Sequence, residues 1–192
     1  MTRFHLVRHG PTHQKTLVGW RDVPADLSDT PALGRLSAGL PGHAIVISSD
    51  LTRAVKTADA IADGRRRLPH DPALREFDFG DWDGLHFSQA AETHPELSRR
   101  YWESPGSVAA PGGESWHAAE ARVTSAIDGL HAQYRGADIV VVGHFGMILT
   151  QLRRALDVPP ETALGQKIDN LSVTSLALDD RGWSVERVNH RF

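Results

Sequence analysis

Three short apolar runs, each ending abruptly in polar residues, constrain this chain more than any other feature. Phe4 to Val7 runs into Arg8-His9-Gly10, Ala44 to Ser49 runs into Asp50-Leu51-Thr52-Arg53, and Asp138 to Gly143 runs into His144-Phe145-Gly146. Short β-branched runs without alternation read as strands buried on both faces, which is the signature of a parallel sheet. Helical patterns separate them: Leu51 to Asp63, Glu114 to Tyr134, and Gly146 to Leu156, where Ile148, Leu149, Leu152 and Leu156 fall on one face. Alternating strands and helices predict an α/β fold, a three-layer α/β/α sandwich on a mostly parallel sheet.

Near the end, Val173 to Leu178 and Trp183 to Val188 flank Asp179-Asp180-Arg181-Gly182. This predicts an antiparallel C-terminal hairpin, which makes the sheet mixed and leaves an edge strand able to pair two subunits into a homodimer. From Leu74 to Gly113 the apolar period weakens while aromatic residues, glycine and proline gather. The expectation there is a lid excursion, residues 74–113, lying over a site. With 192 residues the chain has room for one domain, 1–192, carrying that excursion, and too little for two.

Ligands of open α/β sheets bind beyond the carboxyl ends of the strands. The three runs would bring two arginines, Arg8 and Arg53, and two histidines, His9 and His144, to one sheet edge. Guanidinium groups match phosphate oxygens in charge and in bidentate geometry, so the cluster describes a pocket for a dianionic phosphate. A local cluster is required, because the formal net charge is -3 and the molecule as a whole does not attract anions. The same balance does not describe a nucleic-acid binder. The absence of cysteine excludes a disulfide framework, thiolate zinc sites and thiol nucleophiles. The 11 histidines are scattered and no His-Glu-x-x-His pattern occurs, so neither a metal nor another cofactor is expected. Met1-Thr2-Arg3 leads straight into the first run, and no later run approaches membrane-spanning length. No signal peptide and no membrane segment are therefore expected, and the cytoplasm is the expected compartment.

With Leu6-Val7-Arg8-His9-Gly10-Pro11-Thr12 the sequence resembles the histidine phosphatase superfamily, also called the phosphoglycerate mutase-like family. The resemblance continues through Ser48 to Ala54 with Thr57-Ala58, through Leu74 to Phe77 with Phe79 to Gly84, and through Pro111 to Ser115. It closes with Gly143 to Gly146 and Asn170 to Thr174, so nearly the whole chain is covered in order. It implies that His9 is a nucleophile taking a phosphoryl group, and that Arg8, Arg53 and His144 bind the three non-bridging oxygens. Neighbouring arginines disfavour a second positive charge, so the His9 ring should be neutral. Glu76 matches the family's acid, which protonates the departing alkoxide and later takes a proton from water. Burial and the phosphate charge raise its pKa while the arginines lower it, so the net direction does not follow from sequence. Gly10 would let backbone approach the phosphate. Thr12 either adds a hydroxyl or caps the following turn.

The match departs at Lys15, where family members commonly carry asparagine; the cation either touches phosphate or turns to solvent. The segment Ala25 to Asp29 follows the family only loosely. For the alcohol half of the substrate, Trp20, Phe77 and Trp82 are candidate pocket residues beside Lys15, with core packing the competing role for Trp20. Phe87, Tyr101, Trp102 and Trp116 either shape that pocket or merely pack. Three functions compete on this reading. The first is a hydrolase of a small phosphate ester, comparable to broad-specificity phosphatases or to one acting on α-ribazole phosphate. The second is a mutase, for which Leu85 to Pro111 is short, and the third is a non-catalytic phosphate-binding module.

Overall fold

Six strands form one sheet in the computed structural model, which describes residues 1–192. They are β1 (Thr2–Arg8), β2 (Ile45–Ser48), β3 (Arg66–Arg67), β4 (Asp138–Gly143), β5 (Val173–Asp179) and β6 (Gly182–His190), in the order β3-β2-β4-β1-β5-β6. Neighbours among the first four strands are parallel, and the β1–β5 and β5–β6 pairs are antiparallel. The helices are α1 (Thr30–Gly39), α2 (Thr52–Ile61), α3 (Phe87–Thr93), α4 (Pro95–Glu103), α5 (Trp116–Gln133), α6 (Phe145–Leu156) and α7 (Pro160–Leu164).

The two-residue period of the strands sorts their side chains into two cores. Leu6, Ile47, Ile139 and Val141 pack with Val123 and Ile127 of α5 and Ile148, Leu149 and Leu152 of α6. Val7, Val46, Val140 and Val142 pack with Leu33 and Leu36 of α1 and Ala54, Ala58 and Ile61 of α2. Each fully buried aliphatic side chain contributes about 1.5–3 kcal/mol relative to an exposed one, so both faces of β1 and β4 are held strongly. The register pairs Arg8 with Gly143 and Ser48 with Val142. The three polar strand ends therefore lie side by side, as the α/β reading required.

Four features differ from expectation. First, α1 was not foreseen: Pro31, Gly34 and Gly39 dilute its pattern, and it is set instead by Asp29, whose carboxylate accepts from the Ala32 N–H at 3.0 Å. Leu156 belongs to the C-terminal turn of α6 but leaves its apolar face, being 40% exposed.

Third, the 74–113 segment carries a small core of its own, in which Trp82, Ala90, Tyr101 and Ala110 pack together. Trp82 is thus buried inside the excursion and is not a wall of the candidate pocket. Gly80 ties the excursion's ends together, because its positive φ of 50° and the Pro111–Gly113 backbone pressed against it leave no space for a side chain. Finally, Trp20 packs in neither large core. It is 37% exposed, its indole N–H donates to the Glu76 carbonyl at 2.7 Å, and the Arg75 guanidinium lies 4.9 Å from its ring.

Candidate active site

His9 follows the last residue of β1, and its ring is fixed from two sides. The Asn170 amide donates to the His9 carbonyl at 2.8 Å, and the imidazole Nδ1–H donates to the Gly10 carbonyl at 2.6 Å. A carbonyl can only accept, so Nδ1 carries the proton and Nε2 is left with a lone pair. Burial holds the His9 pKa down at about 3, helped by the charges of Arg53 and Arg8. The ring is therefore neutral, as the sequence suggested, but burial is the larger cause and the arginines the smaller.

Gly10 is tied to α2 through its backbone. Its N–H donates to the Thr57 hydroxyl at 3.0 Å, and that hydroxyl donates to the Arg53 carbonyl at 2.7 Å. The backbone here orients His9 and ties it to α2. Glycine is favoured here because a Cβ would press on the Leu27 side chain and crowd the Asp26 carbonyl.

The two arginines are held by carbonyls and lack carboxylate partners. Arg8 donates to the Ile168 carbonyl at 2.6 Å and lies 5.4 Å from the Phe145 ring centre. Arg53, 1% exposed, donates to the Arg21 carbonyl at 2.9 Å and the Gly19 carbonyl at 2.6 Å. In each, Nε is buried with no hydrogen-bond partner in the protein. Arg65 gives the contrast: it too is buried without a carboxylate, but its nitrogens all donate, to Pro41, Ser37, Ile61, Ala62 and Leu40. Arg65 is a structural clamp. Arg8 and Arg53 keep donors in reserve, although removing an ion from water without a counter-charge costs several kcal/mol.

His144 precedes α6, and its ring lies edge-on to His9 with centroids 5.1 Å apart. Its Nε2 is 2.7 Å from the Ser49 hydroxyl, which also accepts the Leu51 N–H. If that hydroxyl gives its proton to Nε2, Nδ1 carries a hydrogen, and Nδ1 has no partner in the protein. Burial lowers the pKa of His144 well below the ordinary value, with His9 and the arginines adding to it.

Glu76 sits at the start of α6 from outside it. One carboxyl oxygen accepts the N–H groups of Phe77 at 3.0 Å and Met147 at 3.3 Å, and the other accepts Gly146 N–H at 3.1 Å. Burial nevertheless raises its pKa, outweighing those bonds and the charges of Arg53 and Arg8. That settles a direction the sequence could not. Arg122 of α5, which sequence reasoning passed over, pins this segment by donating to the carbonyls of Ala73 and Arg75 at 2.9 Å and of Glu76 at 3.1 Å.

A cavity of about 280 Å³ opens above these groups, with Arg8, His9, Thr12 and Glu76 at its polar end. Arg53 and His144 are not among the lining residues, although His144 stacks edge-on to His9. Phe77 is on the wall, but Lys15, Trp20 and Trp82 are not. Lys15 turns to solvent, and its neighbours Gln14 and Thr16 face the cavity instead. Thr12 lines the cavity and caps no helix. Phe79 and Phe145 of the wall belong to the motif blocks, whereas Leu17, Val18 and Leu164 carried no distinctive sequence signal. No group of three or more histidine, aspartate and glutamate side chains stands close enough to hold a metal ion, and no helix is long and apolar enough to cross a membrane.

Comparison with known proteins places these observations. The sequence model described as the histidine phosphatase superfamily (branch 1) matches residues 4–191. The bifunctional protein Rv2228c of Mycobacterium tuberculosis is 40% identical, over 98% of this chain and 54% of its own length. This chain thus spans about half of that relative. Phosphoglycerate mutase-like protein 4 of Arabidopsis thaliana is 32% identical over 94% of this chain and 82% of its own. Among solved structures, the mycobacterial glucosyl-3-phosphoglycerate phosphatase Rv2419c superposes with a TM-score of 0.85 at 25% identity, covering 99% of both chains.

Proposed function

This chain belongs to the histidine phosphatase superfamily, and on that premise we propose that it hydrolyses a small phosphate monoester through a phosphohistidine at His9, without a metal. The observation that carries the reading is the pair of buried guanidiniums, Arg8 and Arg53, with free Nε donors and no carboxylate partners, beside an imidazole whose lone pair is at Nε2. Such charges call for an anion from outside the protein.

The chemistry follows from those groups. The non-bridging oxygens of the phosphoryl group take hydrogen bonds from Arg8, Arg53 and the Nδ1–H of His144. Nε2 of His9 attacks phosphorus in line as the P–O bond to the alcohol breaks, and Glu76, whose acid form burial favours, gives a proton to the departing oxygen. Water then attacks phosphorus, Glu76 takes back a proton, and the N–P bond breaks to release phosphate and neutral His9. The arginines supply the cationic charge that a metal ion would otherwise bring, which supports metal independence.

A mutase must hold a second anionic group in the alcohol half, and beyond Arg8 the cavity lining offers no permanent cation; this favours hydrolysis. The test is phosphate release from p-nitrophenyl phosphate with excess EDTA, for the protein and for His9→Ala. Turnover lost only in the variant is expected. Turnover that survives in His9→Ala, or interconversion of phosphoglycerates that outruns release, would overturn the proposal. Phosphate binding without turnover of any ester would point to a binding module.

A further inference from the structure

Building on the hydrolase reading, we infer that the alcohol half of the substrate is uncharged and apolar, an aromatic or branched aliphatic group, and that esters bearing a second anion there are discriminated against. Beyond the phosphoryl end, the cavity wall is made by Leu17, Val18, Phe79, Trp102, Phe145 and Leu164. The wall continues as a narrow crevice where Phe77, Trp102 and Leu164 meet Val108 and Trp116. Trp102 of α4 is 36% exposed, so an aromatic face stands at the mouth in contact with water. Its ring sits 6.3 Å from that of Phe79 and 4.8 Å from that of Tyr101, which makes this side of the cavity an aromatic cluster.

The charges around the cavity point the same way. Arg8 is the only lining residue with a permanent positive charge, and the Ile168 carbonyl and the Phe145 ring commit its guanidinium to the phosphoryl end. Arg122 is engaged by three carbonyls and the Glu114 carboxylate, Arg21, itself off the lining, pairs with Asp83 and donates to the Thr16 hydroxyl at 3.1 Å, and Lys15 faces solvent off the lining. A carboxylate or second phosphate in the alcohol half would lose hydration against aromatic rings and gain no cation in return. An apolar group there gains by leaving water, and Gln14 and Thr16 offer it only neutral hydrogen bonds.

A matched pair of esters tests this: 2-phenylethyl phosphate and its para-carboxylated analogue, which share the reacting phosphate and the aliphatic leaving oxygen. Phosphate release is followed at neutral pH in the unmodified protein. The expected result is a kcat/KM at least about tenfold higher for the uncharged ester, the factor that about 1.4 kcal/mol of lost transition-state binding produces. Trp102→Lys, which sets a cation at the mouth, should narrow that ratio; the wild-type comparison decides even if this variant folds poorly. Equal rates, or a preference for the carboxylated ester that disappears in Lys15→Ala, would overturn the inference. If neither ester turns over while p-nitrophenyl phosphate is hydrolysed through a phosphohistidine, the inference fails and the hydrolase reading stands. If no ester phosphorylates His9, both fail.

Discussion

Replacing His9 with asparagine should change how stability responds to acid, by an amount the structure sets. Burial and the neighbouring arginines hold the His9 pKa at about 3, whereas in the unfolded chain it takes the ordinary value near 6.5. The folded-state pKa is the lower one, so the unfolded chain binds the extra proton and stability falls as pH drops below about 6.5, levelling off near the folded value. At pH 5 the unfolded ring is about 97% protonated and the folded ring is still neutral, so this one residue removes about 2 kcal/mol of stability between pH 7 and pH 5. Titrating groups away from the site contribute equally to both proteins, so the comparison reports on position 9 and on its coupling to His144. Urea unfolding of wild type and His9→Asn at both pH values measures it: the variant's stability relative to wild type should rise by about 2 kcal/mol on acidification. Parallel pH dependences, within about 0.5 kcal/mol, would show that the ring titrates normally and would refute the neutral, burial-held imidazole.

Arg53→Ala should lower kcat by about 100-fold or more while weakening phosphate binding, because its contact tightens as charge shifts in the transition state. Arg53→Lys should not restore it, since one ammonium cannot hold the Gly19 and Arg21 carbonyls and still reach the phosphoryl group; steady-state kinetics with both variants checks this. Glu76→Gln should slow esters of poor leaving groups far more than p-nitrophenyl phosphate, and equal losses would remove the acid role. Thr57→Val strands the buried Gly10 N–H and frees the Arg53 carbonyl, so urea unfolding should show a loss of about 1–3 kcal/mol. Full stability in that variant would dissolve the link between His9 and α2.

Much of this site could be read from sequence because strand register is a strong local signal. The runs before Arg8 and His144 are buried on both faces, so their ends had to emerge together at one sheet edge. Side-chain direction was harder. Lys15 was the residue that broke the family pattern, yet the chain after Thr12 turns Gln14 and Thr16 inward, and nothing in residue type announces that alternation in an irregular segment. Trp20 and Trp82 carry the same indole to opposite fates, one half-exposed against Arg75 and one sealed in the excursion's own core. Their surroundings come from distant segments, which periodicity does not report. The Glu76 pKa depended on comparing burial with three backbone donors and two arginines, a balance of opposing effects that required the assembled geometry. Arg122 stayed hidden because an arginine on an amphipathic helix ordinarily points to water, whereas here it clamps the carbonyls of 73, 75 and 76.

The most direct test is chemical: mix the protein with a phosphate ester, quench within milliseconds under denaturing alkaline conditions, and map the phosphoryl group by mass spectrometry. The account predicts an acid-labile adduct on the peptide bearing His9, formed and lost at rates that match turnover and absent in His9→Ala. Turnover without any such adduct, or an adduct on another side chain, would contradict it.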